Sequence, residues 1–214
     1  MTAGSWTPRL ATASRSAASA SSRYRSTSVG VRISRSNSGQ CSFTIAEVWQ
    51  SRTIGFVGFS RAELESFVGA TVPDLIGPGV KLLFVGINPG LWTAATQTHF
   101  AHPGNRFYPA LLEACIIDAP IDRGVGMTDA DRRSLIERRI GITNIVHRAT
   151  ARASELTRDE LRAGGDQLRN FVRTHRPAVV AVAGITAYRS AFDVPNAAMG
   201  EQPESFEGSR LFVV

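Results

Sequence analysis

The residues whose types and spacing could do chemistry sit in two short stretches. Asn88 stands in Gly-Ile-Asn-Pro-Gly, after the apolar run 81–85 and between Gly86 and the pair Pro89-Gly90. Glycine and proline there fix a tight turn at which backbone can approach a ligand closely. A neutral carboxamide in such a turn can orient a water by hydrogen bonding, but its basicity is negligible, so it positions and does not deprotonate. The other reading is an Asx-turn residue that bonds only nearby backbone. Asn144 and Thr150 lie in the second stretch, GITNIVHRAT (141–150). Asn144 can offer both a donor and an acceptor to a ligand, or cap the end of a strand. Phe100 and His99 follow the first turn; on its own Phe100 reads as core, and His99 as either a pocket residue or an exposed one. In HPGNRF (102–107), Asn105 falls at a helix start whose free amides could receive a phosphate, with Arg106 adding a charge-assisted contact. As a plain N-cap, Asn105 needs no such role.

Positioning these groups falls to an alternation of strands and helices beginning near residue 60. Four short apolar segments predict strands: KLLFVGI (81–87), GITNIV (141–146), AVVAVAG (178–184) and RLFVV (210–214). Each reads as a strand covered on both faces, and the helical segments between them give the order of a parallel sheet. Helices are expected within 105–116, 129–140, 157–175 and 185–192. Thr157 and Glu160 have capping-box spacing at the start of the longest, where Leu161, Leu168, Phe171 and Val172 recur at core-facing intervals. Gly164 and Gly165 inside it each cost about 1 kcal/mol against alanine, which implies close packing or a bend. In an open parallel sheet ligands bind beyond the carboxyl ends of the strands, where both polar stretches fall.

Composition narrows the class. No apolar run approaches the roughly 20 residues of a membrane span. Cys41 and Cys115 are the only cysteines, too few for a cysteine metal site or a disulfide framework, so two reduced thiols, a cytoplasmic setting and no metal are expected. The formal charge of +6 is uneven, because the first 40 residues hold six arginines and no acid. The remainder has as many acids as bases, so bulk charge says little about the site. Residues 1–58 form a Ser/Arg-rich segment expected to be disordered, suited to a basic tail, an upstream extension of the reading frame, or an organelle transit peptide. A folded domain is expected over 59–214.

The segment GINPGLWTAATQTHFAHPGNRFYPAL, with GITNIVHRATARASELTRDELRAGG downstream, resembles the mismatch-specific uracil/thymine DNA glycosylases of the uracil-DNA glycosylase superfamily. The resemblance implies a three-layer α/β/α sandwich on a short, mostly parallel sheet, here of four strands. It implies a DNA-associated, monomeric repair enzyme that flips uracil, or thymine or a modified pyrimidine, from opposite guanine and hydrolyses its N-glycosidic bond without a cofactor. Asn88 would hold the water and Thr150 help orient it. Faster relatives in the superfamily carry aspartate in the place of Asn88, which implies a slow enzyme. Phe100 would stack on the base, its amide donating to the departing carbonyl; Asn144 would read the Watson–Crick edge, and Ile87, Gly90, Thr93 and His99 would line the base pocket. Asn105 and Arg106 would take a DNA phosphate. In the family the last strand leads into a Pro-Asn-Pro-Ser-Gly type loop and a final helix, whereas this sequence stops at Val214, so a domain lacking both is expected. Without the loop, base extrusion should be less favourable, so the alternative is a weakened or non-catalytic DNA-binding remnant. A small nucleotide-binding enzyme fits poorly, because neither the P-loop lysine spacing nor Gly-x-Gly-x-x-Gly is present.

Overall fold

The computed structural model describes residues 58–214, together with the backbone of two strands, β1 (Ser34–Arg35) and β2 (Cys41–Ser42), which pair antiparallel. Apart from those strands and Gly58, the segment 1–58 expected to be disordered lies outside the described residues. Cys115, expected as a reduced thiol, is disulfide-bonded. Cysteine counting carries no information about the spatial approach on which a bridge depends.

The apolar runs form the sheet. β3 (Leu82–Gly86), β4 (Ile140–Asn144), β5 (Val179–Val182) and β7 (Arg210–Val213) are parallel, and β6 (Gly200–Glu201) adds antiparallel to β7. The spatial order is β4-β3-β5-β7-β6, so the sheet has five strands rather than the expected four. The additional strand escapes sequence reading because it is two exposed residues with no alternation. It also means that β7 is not an edge. The other edge is covered as well: Leu75 exchanges both backbone hydrogen bonds with Ile142, at 2.8 and 2.9 Å.

Helices α1 (Arg61–Glu65), α2 (Leu91–Thr96), α3 (Phe107–Glu113), α4 (Asp129–Glu137), α5 (Arg158–His175) and α6 (Ile185–Phe192) connect and cover the strands. Strand alternation sorts the core into two sides. Leu83, Val85, Val180, Val182, Leu211 and Val213 pack with Leu168 and Val172 of α5 and Tyr188 of α6. Phe84, Ile140 and Ile142 pack with Tyr108 and Leu111 of α3 and Leu135 of α4. This is the α/β/α sandwich.

The capping box at Thr157 is formed, with Glu160 returning a hydrogen bond to the Thr157 amide at 2.9 Å. Its helix runs tight against the segment after β4 and against α6 at the glycine pair. A methyl group on Gly164 would lie 2.2 Å from the Ile145 carbonyl oxygen, and one on Gly165 would lie 2.7 Å from that of Ala191. α5 therefore bears on the first residue after β4, the start of the Asn144–Thr150 loop. Gly164→Ala gains about 1 kcal/mol in helix propensity but must displace backbone, an overpacking cost of roughly 1–3 kcal/mol. Net destabilisation is the expected result in urea unfolding; an alanine variant more stable than the parent would refute the tight contact.

Candidate active site

β3 and β4 stay zipped beyond the sheet. Ile145 N–H donates to Gly86 O and Val146 N–H to Ile87 O, both at 2.9 Å, and Thr150 N–H donates to Pro89 O at 3.1 Å. The second loop is held from behind by Gly69 and Ala70, each of which exchanges a backbone bond with Ala149. Arg148 Nε reaches Glu160 Oε1 at 2.8 Å, so the carboxylate that closes the capping box of α5 also ties down this loop.

Asn88 sits at the junction. Its Nδ2 donates to Arg148 O at 2.9 Å, to Thr150 Oγ1 at 2.8 Å and to Pro89 O at 3.2 Å. Two of these acceptors are carbonyls, which cannot donate, so the amide has a single orientation. No backbone N–H bonds to Asn88 Oδ1, which sets aside the Asx-turn reading; among the described residues that oxygen has no hydrogen-bond partner. Thr150 is 1% exposed, and its hydroxyl donates to Arg152 O at 2.8 Å. Its proton is committed, so what Thr150 supplies is an acceptor that aligns Asn88.

Beside Asn88 lies a hollow of about 480 Å³. It is lined by Ile87, Asn88, Gly90, Phe100, Asn105 and Thr150, all singled out in the sequence, and by Phe107 and three alanines that were not. Phe100 adopts φ +56°, a left-handed conformation that costs a bulky side chain on the order of 1 kcal/mol or more and tends to mark functional positions. Its ring stacks on Phe107 with centroids 4.1 Å apart, and its N–H has no partner among the described residues. Phe107 carried no sequence signal beyond an apolar helix position.

Thr93, His99, Asn144 and Arg106 are not among the lining residues. Thr93 is buried within α2, and Arg106 is exposed at the start of α3. Asn105 Oδ1 accepts from Phe107 N–H at 2.8 Å, but the N-cap of α3 is Arg106, which makes no side-chain capping bond, so Asn105 stands one residue before the cap rather than at it. His99 is 1% exposed: its Nε2 contacts Pro73 O at 2.9 Å and its Nδ1 contacts Asn144 Nδ2 at 3.1 Å. Burial lowers its pKa against the opposing pull of the Pro73 carbonyl and Asp74, which keeps the ring neutral. Among the described residues no group of three or more His, Cys, Asp or Glu could hold a metal ion, and no helix is long and apolar enough to cross a membrane.

A parallel sheet covered on both faces, with an aromatic and carboxamide hollow at the carboxyl ends of adjacent strands, defines a small α/β domain that takes its ligand at the strand ends. Residues 73–213, more than half of the chain, match the family model of the Uracil DNA glycosylase superfamily, and the chain belongs to that superfamily. The matched span opens at Pro73, the partner of His99, and closes in β7, enclosing every residue of the hollow. Membership supports DNA glycosylase activity on uracil and implies DNA binding.

Besides Arg148–Glu160, the loop after β4 has a second titratable tether, between His147 and Asp74. His147 Nε2 lies 3.2 Å from Asp74 Oδ1. Hydrogen bonding to Asp74 raises the His147 pKa above its ordinary 6.5, outweighing burial. Burial pushes the Asp74 carboxyl up, but hydrogen bonds from His147 and Thr143 and the positive charge of His147 together hold it below its ordinary 3.8. The His147 contribution is whole below 6.5 and is lost as pH rises through its raised value; the Asp74 contribution is whole above 3.8 and is lost as pH falls through its lowered value. Denaturant unfolding at pH 6 and pH 9 should therefore show the parent losing stability at the higher pH by less than about 1 kcal/mol, since His147 is half exposed. His147→Gln should flatten that difference.

Proposed function

We propose that this chain is a monofunctional DNA glycosylase that removes uracil paired with guanine, using a water oriented by Asn88. The observation that carries this reading is the Asn88 amide: its nitrogen is consumed by three acceptors, and its oxygen is left free at the wall of the hollow. A carboxamide oxygen accepts a water proton and turns a water lone pair outward, which is the positioning that attack on C1′ requires. The sugar develops oxocarbenium character as the base leaves, so an oriented neutral water suffices and no strong base is needed.

The base enters the hollow by extrusion from the duplex and lies against Phe100, which Phe107 stiffens by stacking. The free Phe100 amide donates to the carbonyl on which the departing uracil accumulates charge. Thr150 acts one step back, as the acceptor that aligns Asn88. Lys81, the only lysine, precedes β3 at the amino end of the sheet, opposite the hollow, so a Schiff-base step has no side-chain amine at the site.

The test is abasic-site formation, read as alkali-cleavable product from a duplex carrying one G·U pair, with enzyme in excess over DNA. Asn88→Ala should lower the single-turnover rate roughly 100-fold or more, because the water loses its only fixed partner. Thr150→Val, which keeps shape but removes the acceptor, should cost about tenfold. Cleavage by Asn88→Ala at the parental rate would overturn the assignment, and product absent from the parent would favour a DNA-binding role without turnover.

A further inference from the structure

In a parallel sheet every strand starts at the same end, so the residues that open the strands gather on one surface. Here each opening is basic. Arg139 immediately precedes β4, Lys81 precedes β3, Arg176 lies shortly before β5, and Arg210 is the first residue of β7. In the spatial order of the sheet they run Arg139, Lys81, Arg176, Arg210, and all are exposed. Backbone bonds fix the row: Lys81 N–H donates to Arg139 O at 2.8 Å, Val179 N–H to Lys81 O at 2.9 Å and Arg210 N–H to Ala178 O at 3.0 Å. The surface is the pole opposite the hollow, which lies beyond the carboxyl ends of β3 and β4.

The flanks of the row are neutralised and its centre is not. Arg210 is paired with Glu201, Arg173 with Glu207 and Arg138 with Asp118. Arg139, Lys81 and Arg176 have no acidic partner among the described residues. Arg139 at φ +60° and Arg176 at φ +48° occupy left-handed turns at the ends of α4 and α5, where glycine is favoured. The dipole of the preceding helix favours a cation at both. Lys81 follows no helix, so the dipole does not account for the row.

What the surface fits is set by what it lacks. The exposed large hydrophobic residues among those described are Val68, Val125, Met199 and Val214, and none stands at this end. A protein interface needs an apolar or aromatic centre within its polar rim, whereas a phosphodiester backbone is held by cations alone. Strands lie about 4.8 Å apart, so the three unpaired cations span roughly 10 Å. Beside Arg176 a hollow of about 470 Å³, shared with Arg173 and Gly208, leaves room for a phosphate.

We propose that the amino end of the sheet, centred on Arg139, Lys81 and Arg176, is a second contact for the DNA backbone, so that one molecule holds a duplex at the hollow and another DNA segment at the opposite pole. This rests on the DNA-binding part of the reading above and not on base release. The second contact reads no sequence, and it lets the domain pass between segments without leaving DNA.

The test is bridging. A uracil-free duplex is fixed on beads, the full chain is bound to it, and recovery of a second, fluorescent duplex is measured. The parent should recover it. A triple variant, Lys81→Gln with Arg139→Gly and Arg176→Gly, should lose about tenfold or more of that recovery while still binding the bead-bound duplex, because glycine suits both left-handed turns. Lys81→Glu alone, which touches neither turn, should lower recovery several-fold, and Arg139→Lys with Arg176→Lys should preserve it. A parent that holds one duplex only, a triple variant that still bridges through the arginines of residues 1–40, or unchanged recovery by Lys81→Glu would each overturn the proposal. Retention of fluorescent polyglutamate in place of the second duplex would assign the row to an acidic protein segment and overturn it too. Bridging by a parent that releases no uracil from a G·U duplex would sink the catalytic reading above and leave this one standing.

Discussion

One amide nitrogen, Asn88 Nδ2, holds the site together. It meets a carbonyl from its own turn, a carbonyl from the loop after β4 and a hydroxyl two residues further on, and so ties two segments 60 residues apart in sequence. Such an anchor is only as good as the placement of its acceptors. Their backbone is fixed by the zipper from Gly86–Ile145 to Pro89–Thr150, by the Arg148–Glu160 contact and by the pressure of α5 at Gly164. Leaving a buried polar group unpaired costs about 1–3 kcal/mol, so each element that keeps the acceptors in register also keeps the free Asn88 oxygen aimed at the hollow.

The arrangement behind the hollow depends on room as much as on bonds. Gly86 looked like a turn residue, but its φ is not positive; it is glycine because Asn144 Oδ1 and the Phe100 edge occupy the space a side chain would need. Phe100, by contrast, carries a real backbone strain at φ +56°. The stack on Phe107 and burial of the neighbouring His99 over-determine that conformation, which is how a strained residue persists. Strain and vacancy meet at one point, where a planar base would lie.

Legibility in the sequence followed the range of the physics. The four parallel strands announced themselves because burial on both faces demands continuous apolar runs, and Thr157, Glu160 and the Gly164–Gly165 pair because capping and close packing are local requirements. Of the hollow's polar residues, Asn88 was legible from a turn of unusual composition and Asn105 from a helix start, whereas Thr150 was legible only through the family resemblance. What stayed hidden is set by contacts between distant residues. His99 reads as a pocket residue until Pro73 and Asn144 are seen on its two nitrogens, and Asp74–His147 joins positions with no shared pattern. β6 is too short and too polar to show a period, and α2 follows the Gly-Pro turn so closely that the turn signal masks it.

Chemistry at the site follows from what lines it. None of the residues lining the hollow is ionisable, and His99, which contacts Asn144, is kept neutral by burial. A wall without a base cannot lower the barrier by removing a proton early, so the gain must come from orientation and from donors placed where charge appears on the leaving base. Substituting a carboxylate for Asn88 would add basicity, yet it would also put acceptor oxygens against Arg148 O and Pro89 O, which are themselves acceptors. The contacts that hold the amide in place therefore argue against the ionised side chain: this turn is built around a donor, and the oxygen proposed to orient a water is what that donor leaves over.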